Sequence, residues 1–138
     1  MDELQAVISL ISGGLAGAGV NAVITNRKQK LDVTLSVIKD FFSFYEHIGQ
    51  VKGVFSQEDI MDTLSKSENL VLLRRVGDWF HYVASLVKEG AVDKEFLDKV
   101  GVIKEAKSFR ENISSAKGRA SKYLENSWSW WPNLENFK

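Results

Sequence analysis

Hydrophobic and polar positions divide this chain into two unlike parts. Residues 4–26, LQAVISLISGGLAGAGVNAVITN, run for 23 positions without a charge. Beyond them apolar residues recur at helical intervals among charged ones. The uncharged run has the length that a helix needs to cross a hydrocarbon core of ~30 Å at ~1.5 Å per residue. It predicts an amino-terminal transmembrane helix. Gly13 and Gly17 form a GxxxG pair, and the series Gln5, Ser9, Gly13, Gly17, Asn21, Thr25 is small or polar throughout. Such a band packs helices closely or lines a pore, so self-association is expected. Arg27, Lys28 and Lys30 follow directly and mark a membrane-interface collar. The positive-inside rule then puts the amino terminus outside and the rest in the cytoplasm, as a single-pass protein of the inner membrane. Two rivals stand beside this reading. One is a buried or interfacial helix in an assembly. The other is a secretory signal, which Asp2 and Glu3 disfavour because they stand where a basic front end belongs.

The remaining pattern predicts a small helical domain over residues 28–127, between an anchor at 1–27 and an aromatic tail at 128–138. A first helix is expected over 28–48, with Leu31, Leu35, Ile38, Phe42 and Tyr45 as its apolar series. Gly49 and Gly53 would frame the turn that ends it. A short helix over 57–64 follows, with Ser56 as cap and Phe55 and Ile60 as a staple. A long helix over 69–88 buries Leu73, Val76, Phe80, Val83 and Val87, and Gly90 stops it. Asp93 caps a short helix ending near Val100. A last long helix over 104–125 buries Ala106, Phe109, Ile113, Ala116, Ala120 and Tyr123. Its outer face carries Lys104, Lys107, Arg110, Lys117, Arg119 and Lys122, which reads as a solvated face or as a surface for anionic lipid or RNA. The fold class is therefore all-α.

Composition narrows the chemistry. Lys and Arg number 18 and Asp and Glu 18, so no strong field draws nucleic acid. Cysteine is absent, which removes disulfides and thiol chemistry. His47 and His81 are the two histidines, too few for a His-rich zinc site. No Walker, Rossmann or HExxH motif occurs, and no cofactor or metal is expected. The tail WSWWPNLENFK holds Trp128, Trp130 and Trp131. Tryptophan at this density marks a membrane interface, a seat on the protein's own helices or the next subunit, or a stacking site.

One catalytic constellation is present. Arg74, Arg75, Asp78 and His81 lie on the long helix, where Arg74 and His81, seven apart, share a face, and Arg75 with His81, or Arg74 counted instead, has the Arg-x4–6-His spacing of the helical HEPN nucleases. A guanidinium holds a phosphate while an imidazole moves a proton. The plain alternative pairs Arg74 with Asp78 at i,i+4 and leaves His81 as a surface residue.

The stretch LRRVGDWFHYVASLVKEGAVDKEFL, residues 73–97, resembles the domain-of-unknown-function family numbered 4760. Arg74, Arg75, Phe80, Gly90, Asp93, Glu95 and Leu97, then Trp130 and Trp131, carry the likeness. His81 departs from it, standing where the family often has an acidic residue. The layout also resembles the HEPN-like membrane accessory protein of RNA-targeting CRISPR systems of the Cas13b type. These resemblances imply a membrane helix with a small helical domain that assembles into a ring. The function expected is then a self-assembling pore or membrane-perturbing effector, in phage defence. The alternatives are a membrane-tethered HEPN-like ribonuclease acting through Arg75 and His81, and a non-enzymatic soluble oligomeric scaffold. The partners expected are the chain itself, the lipid bilayer, and RNA or an upstream effector protein.

Overall fold

A computed structural model describes residues 27–125 and 130–137. These residues form an all-helical bundle. In chain order the elements are α1 (Arg27–Phe55), α2 (Ile60–Ser65), α3 (Ser67–Lys88), α4 (Lys94–Lys99), α5 (Val102–Ala116), α6 (Ser121–Leu124) and a closing 3₁₀ turn, η1 (Pro132–Phe137). α3 is the centre. α1 packs along one side of it and η1 along another, while α5 touches both α1 and η1.

No helix among the described residues is long and apolar enough to cross a membrane. α1 has the length, at 29 residues. It carries Arg27, Lys28, Lys30, Asp32, Lys39, Asp40, Glu46 and Lys52, a charge load that hydrocarbon does not accept. The anchored single-pass topology, the inner-membrane location and the bilayer as a partner are therefore corrected to an all-helical bundle. The expected anchor, with Gln5, Ser9, Gly13, Gly17, Asn21 and Thr25, lies outside the described residues.

The buried face of α1 differs from the expected one. Val33, Val37, Phe41, Ile48, Val51, Val54 and Phe55 enter the core. Leu31, Leu35, Phe42 and Tyr45 stay 49%, 47%, 65% and 59% exposed, and Ile38 lies between the two faces. α1 also runs through Gly49 and Gly53. Neither has positive φ, and each Cβ position looks into open space. Burial of Ile48, Val51, Val54 and Phe55 around them outweighs two helical glycines at ~1 kcal/mol each.

Caps and turns fix the other boundaries. The Asp59 carboxylate accepts from the Asp62 amide at 3.0 Å and starts α2. α3 ends in a Schellman turn: Gly90, at φ +69°, donates to Val87 O, and Ala91 donates to Leu86 O at 2.9 Å. Asp93 caps α4 through Phe96 N. The Asp93 amide also donates to the Thr34 hydroxyl at 2.9 Å, while that hydroxyl donates to Lys30 O. Thr34 is fully buried, so this one oxygen ties the head of α4 to α1. The last long helix breaks. α5 stops at Ala116, Lys117 to Ala120 turn around Gly118, and α6 resumes so that Leu124 is buried and Tyr123 half-buried.

Candidate functional site

The polar face of α3 holds the only sequence-expected catalytic residues, and the carboxyl-terminal segment lies against it. Gly77 makes room for that segment. A Cβ built there would fall among the Cζ2, Cε2 and Cη2 atoms of Trp131. Trp131 is completely buried, and its ring also meets Phe109 at 5.5 Å. Its indole Nε1 donates to the Asp78 carboxylate at 2.8 Å. One turn earlier on α3, the Arg74 guanidinium sits 4.2 Å from the Trp130 ring, a cation–π contact. Farther along, Asn133 donates to the Ser85 hydroxyl at 2.7 Å, and Ser85 donates to His81 O. Arg110 on α5 donates to Glu135 at 3.3 Å. Leu134 and Phe137 fill the space between α3 and α5.

Arg74 and Asp78 thus hold the tail. Arg75 is exposed and lines a shallow open depression with Leu70, Val71, Arg74 and Asp78. At 100° per residue it points ~120° around α3 from His81. His81 is half-buried, and its Nδ1 is enclosed with no hydrogen-bond partner. Burial lowers its pKa from the ordinary 6.5, against a smaller opposing pull from Asp78. With Arg75 turned away from His81, and Arg74, which shares its face, laid on the Trp130 ring, no free guanidinium among the described residues stands beside the imidazole to hold a phosphate. The ribonuclease reading finds no site here. Nothing among the described residues favours RNA as a partner. No group of three or more metal-ligating side chains occurs among them either.

Of the expected interface residues, Trp131 is inside the core, Trp130 is half-buried under Arg74, and Trp128 lies outside the described residues. Arg27, Lys28 and Lys30 gather with Leu31 and Asp93 around an open depression of about 700 Å³ at the head of α1. A second, of about 400 Å³, lies three to four turns on, where Phe42 and Tyr45 face Val100, Gly101 and Lys104. Between these two depressions runs the series Leu31, Leu35, Ile38, Phe42, Tyr45, exposed except for the half-buried Ile38. Sequence reasoning found its periodicity but not its exposure. It missed the seats at Gly77 and Ser85, although a glycine in mid-helix was a visible signal for the first.

No protein-family model, curated protein or solved structure matches this chain. The resemblances to family 4760 and to the HEPN-like CRISPR accessory protein are accordingly withdrawn, together with the ring, the pore or membrane-perturbing effector, the phage-defence role and the upstream effector partner they implied.

Proposed function

We propose that this domain is a non-enzymatic helical scaffold whose working surface is the apolar stripe on α1. One observation carries the reading. Four large hydrophobics, Leu31, Leu35, Phe42 and Tyr45, stand about half or more exposed along one line of a helix that already has a complete buried face. Isolated exposed leucines are ordinary, but a contiguous row on a rigid helix is a binding surface. The alternative use of the polar residues is also accounted for. Arg74, Asp78 and Ser85 are engaged in seating the tail.

Unfolding measurements test this. With the chain dilute enough that stability no longer depends on concentration, Leu35→Ser and Phe42→Ser are expected to change stability by less than about 1 kcal/mol each. Val37→Ser, one face away and buried, should cost roughly 2–4 kcal/mol. Surface variants as damaging as Val37→Ser would mean that the chain covers the stripe itself, and the scaffold reading would fail.

A further inference from the structure

We propose that the stripe seats a second copy of this chain, with two α1 helices packed in parallel and in register about a two-fold axis. This rests on the stripe being the working surface. Leu31, Leu35, Ile38, Phe42 and Tyr45 are spaced four, three, four, three, the interval at which two helices share a seam. In register, each of the five meets its own counterpart.

Charge decides the occupant and the orientation. Along the outer edge of the seam stand Asp32, Lys39 and Glu46, seven residues apart and all exposed. The inner edge is where the rest of the domain rises beside the stripe. It presents Arg27, with Lys28 and Lys30, at the head of α1, then Asp93, whose amide is bound at the level of Thr34, then Lys104, beside Phe42 and Tyr45, where the neighbouring Glu105 is already paired with Lys52. The outer edge therefore reads minus, plus, minus, and the inner edge plus, minus, plus. In a parallel pair the outer edge of one helix faces the inner edge of the other, offset by five residues. Asp32 then meets Arg27 of the partner subunit, Lys39 meets Asp93 of the partner subunit, and Glu46 meets Lys104 of the partner subunit. The two-fold axis repeats all three pairs, as a closed isologous interface requires. An antiparallel pair would set both domain bodies on the same side of the seam and bring the inner edges, which carry the same order of charges, against each other.

The test is the mass of the full chain in solution, by light scattering or sedimentation, across concentration. Twice the chain mass is expected. Glu46→Lys alone and Lys104→Glu alone should each weaken the dimer by about tenfold or more, and the two together should restore it, because only the double variant regains opposite charges. Neither residue caps a helix or enters the core, so circular dichroism should not change. The chain has no cysteine of its own, so Leu31→Cys and Tyr45→Cys each report orientation. Each should cross-link to its own kind. A single-chain mass at every concentration would overturn the second-copy proposal while leaving the stripe, judged by the unfolding test, open to a different protein. A dimer indifferent to the charge exchange, or one that cross-links Leu31→Cys only to Phe42→Cys, would overturn the parallel register.

Discussion

Replacing Gly77 by alanine adds one methyl group to a helix, a change that normally stabilises by ~1 kcal/mol. Here the sign should invert. The new Cβ would overlap Trp131 Cζ2 and Cε2 and lie 2.6 Å from Cη2, against 3.4–4 Å for ordinary contact. The obstacle is a rigid ring, completely buried and backed by Phe109, so it has no flexible end to swing away. Relief needs the indole to retreat by about an ångström or more. That stretches its 2.8 Å bond to Asp78 and loosens the neighbouring Leu134 and Phe137. Overpacking of this kind costs roughly 1–3 kcal/mol, and the rigid seat places Gly77→Ala at the upper end. After the gain in helix propensity the net loss should be about 2 kcal/mol. Urea unfolding followed by circular dichroism measures it, and tryptophan emission should shift red as the indole leaves its seat. Gly49→Ala and Gly53→Ala are the internal controls. Their Cβ positions meet nothing, so each should stabilise α1 by about 0.5–1 kcal/mol. If Gly77→Ala proves as stabilising as those two, the seating of Trp131 on α3 is wrong.

Two further perturbations probe the links between elements. Thr34→Val keeps the side-chain shape but leaves the Asp93 amide without its acceptor, at a cost of roughly 1–3 kcal/mol; hydrogen exchange at that amide should accelerate, and unchanged protection would refute the tie between α1 and α4. Because burial holds His81 below its unfolded pKa of 6.5, its contribution to stability is complete above that value and is lost as pH falls through 6.5 and below, where the unfolded chain binds the proton more readily. The wild type should therefore lose stability relative to His81→Gln between pH 7 and 5, and parallel pH profiles for the two would count against burial of that ring.

Some local signals in the sequence survived into the fold, though the expected Ser56 cap did not: its hydroxyl donates back to Gly53 O and Asp59 starts α2 instead. Gly90 and Asp93 were readable because a left-handed stop and a carboxylate cap act within a few residues. The α3 seam of Leu73, Val76, Phe80 and Val83 was readable because its opposite side is polar. α1 offered no such contrast. Val33, Val37, Phe41 and Ile48 mark one apolar face, and Leu31, Leu35, Phe42 and Tyr45 mark another, so periodicity alone could not choose between them. Gly49 and Gly53 looked like a turn because the tertiary burial that carries the helix through them is not a local property. The use made of the polar residues around the expected catalytic pair was hidden for a related reason. Arg74 and Asp78 take their partners from residues more than fifty positions away, at Trp130 and Trp131, and no spacing rule within α3 announces that.

The tail and the stripe constrain each other. Trp131, Leu134 and Phe137 complete the core from the side of α3 and α5, so the described bundle satisfies its interior without using the second face of α1. Among the described residues no element covers Leu31, Leu35, Phe42 and Tyr45. Instead α4 and α5 approach only their inner edge, at Asp93, Val100 and Lys104, and leave the row itself open. An exposed row of this kind is an aggregation liability unless something regularly closes it. Its flanks argue for closure with a fixed partner, because charges of alternating sign on both edges reject most helices and accept the one that carries the opposite order. The chain itself carries that order, on residues supplied by three separate elements, α1, the cap of α4 and the first turn of α5.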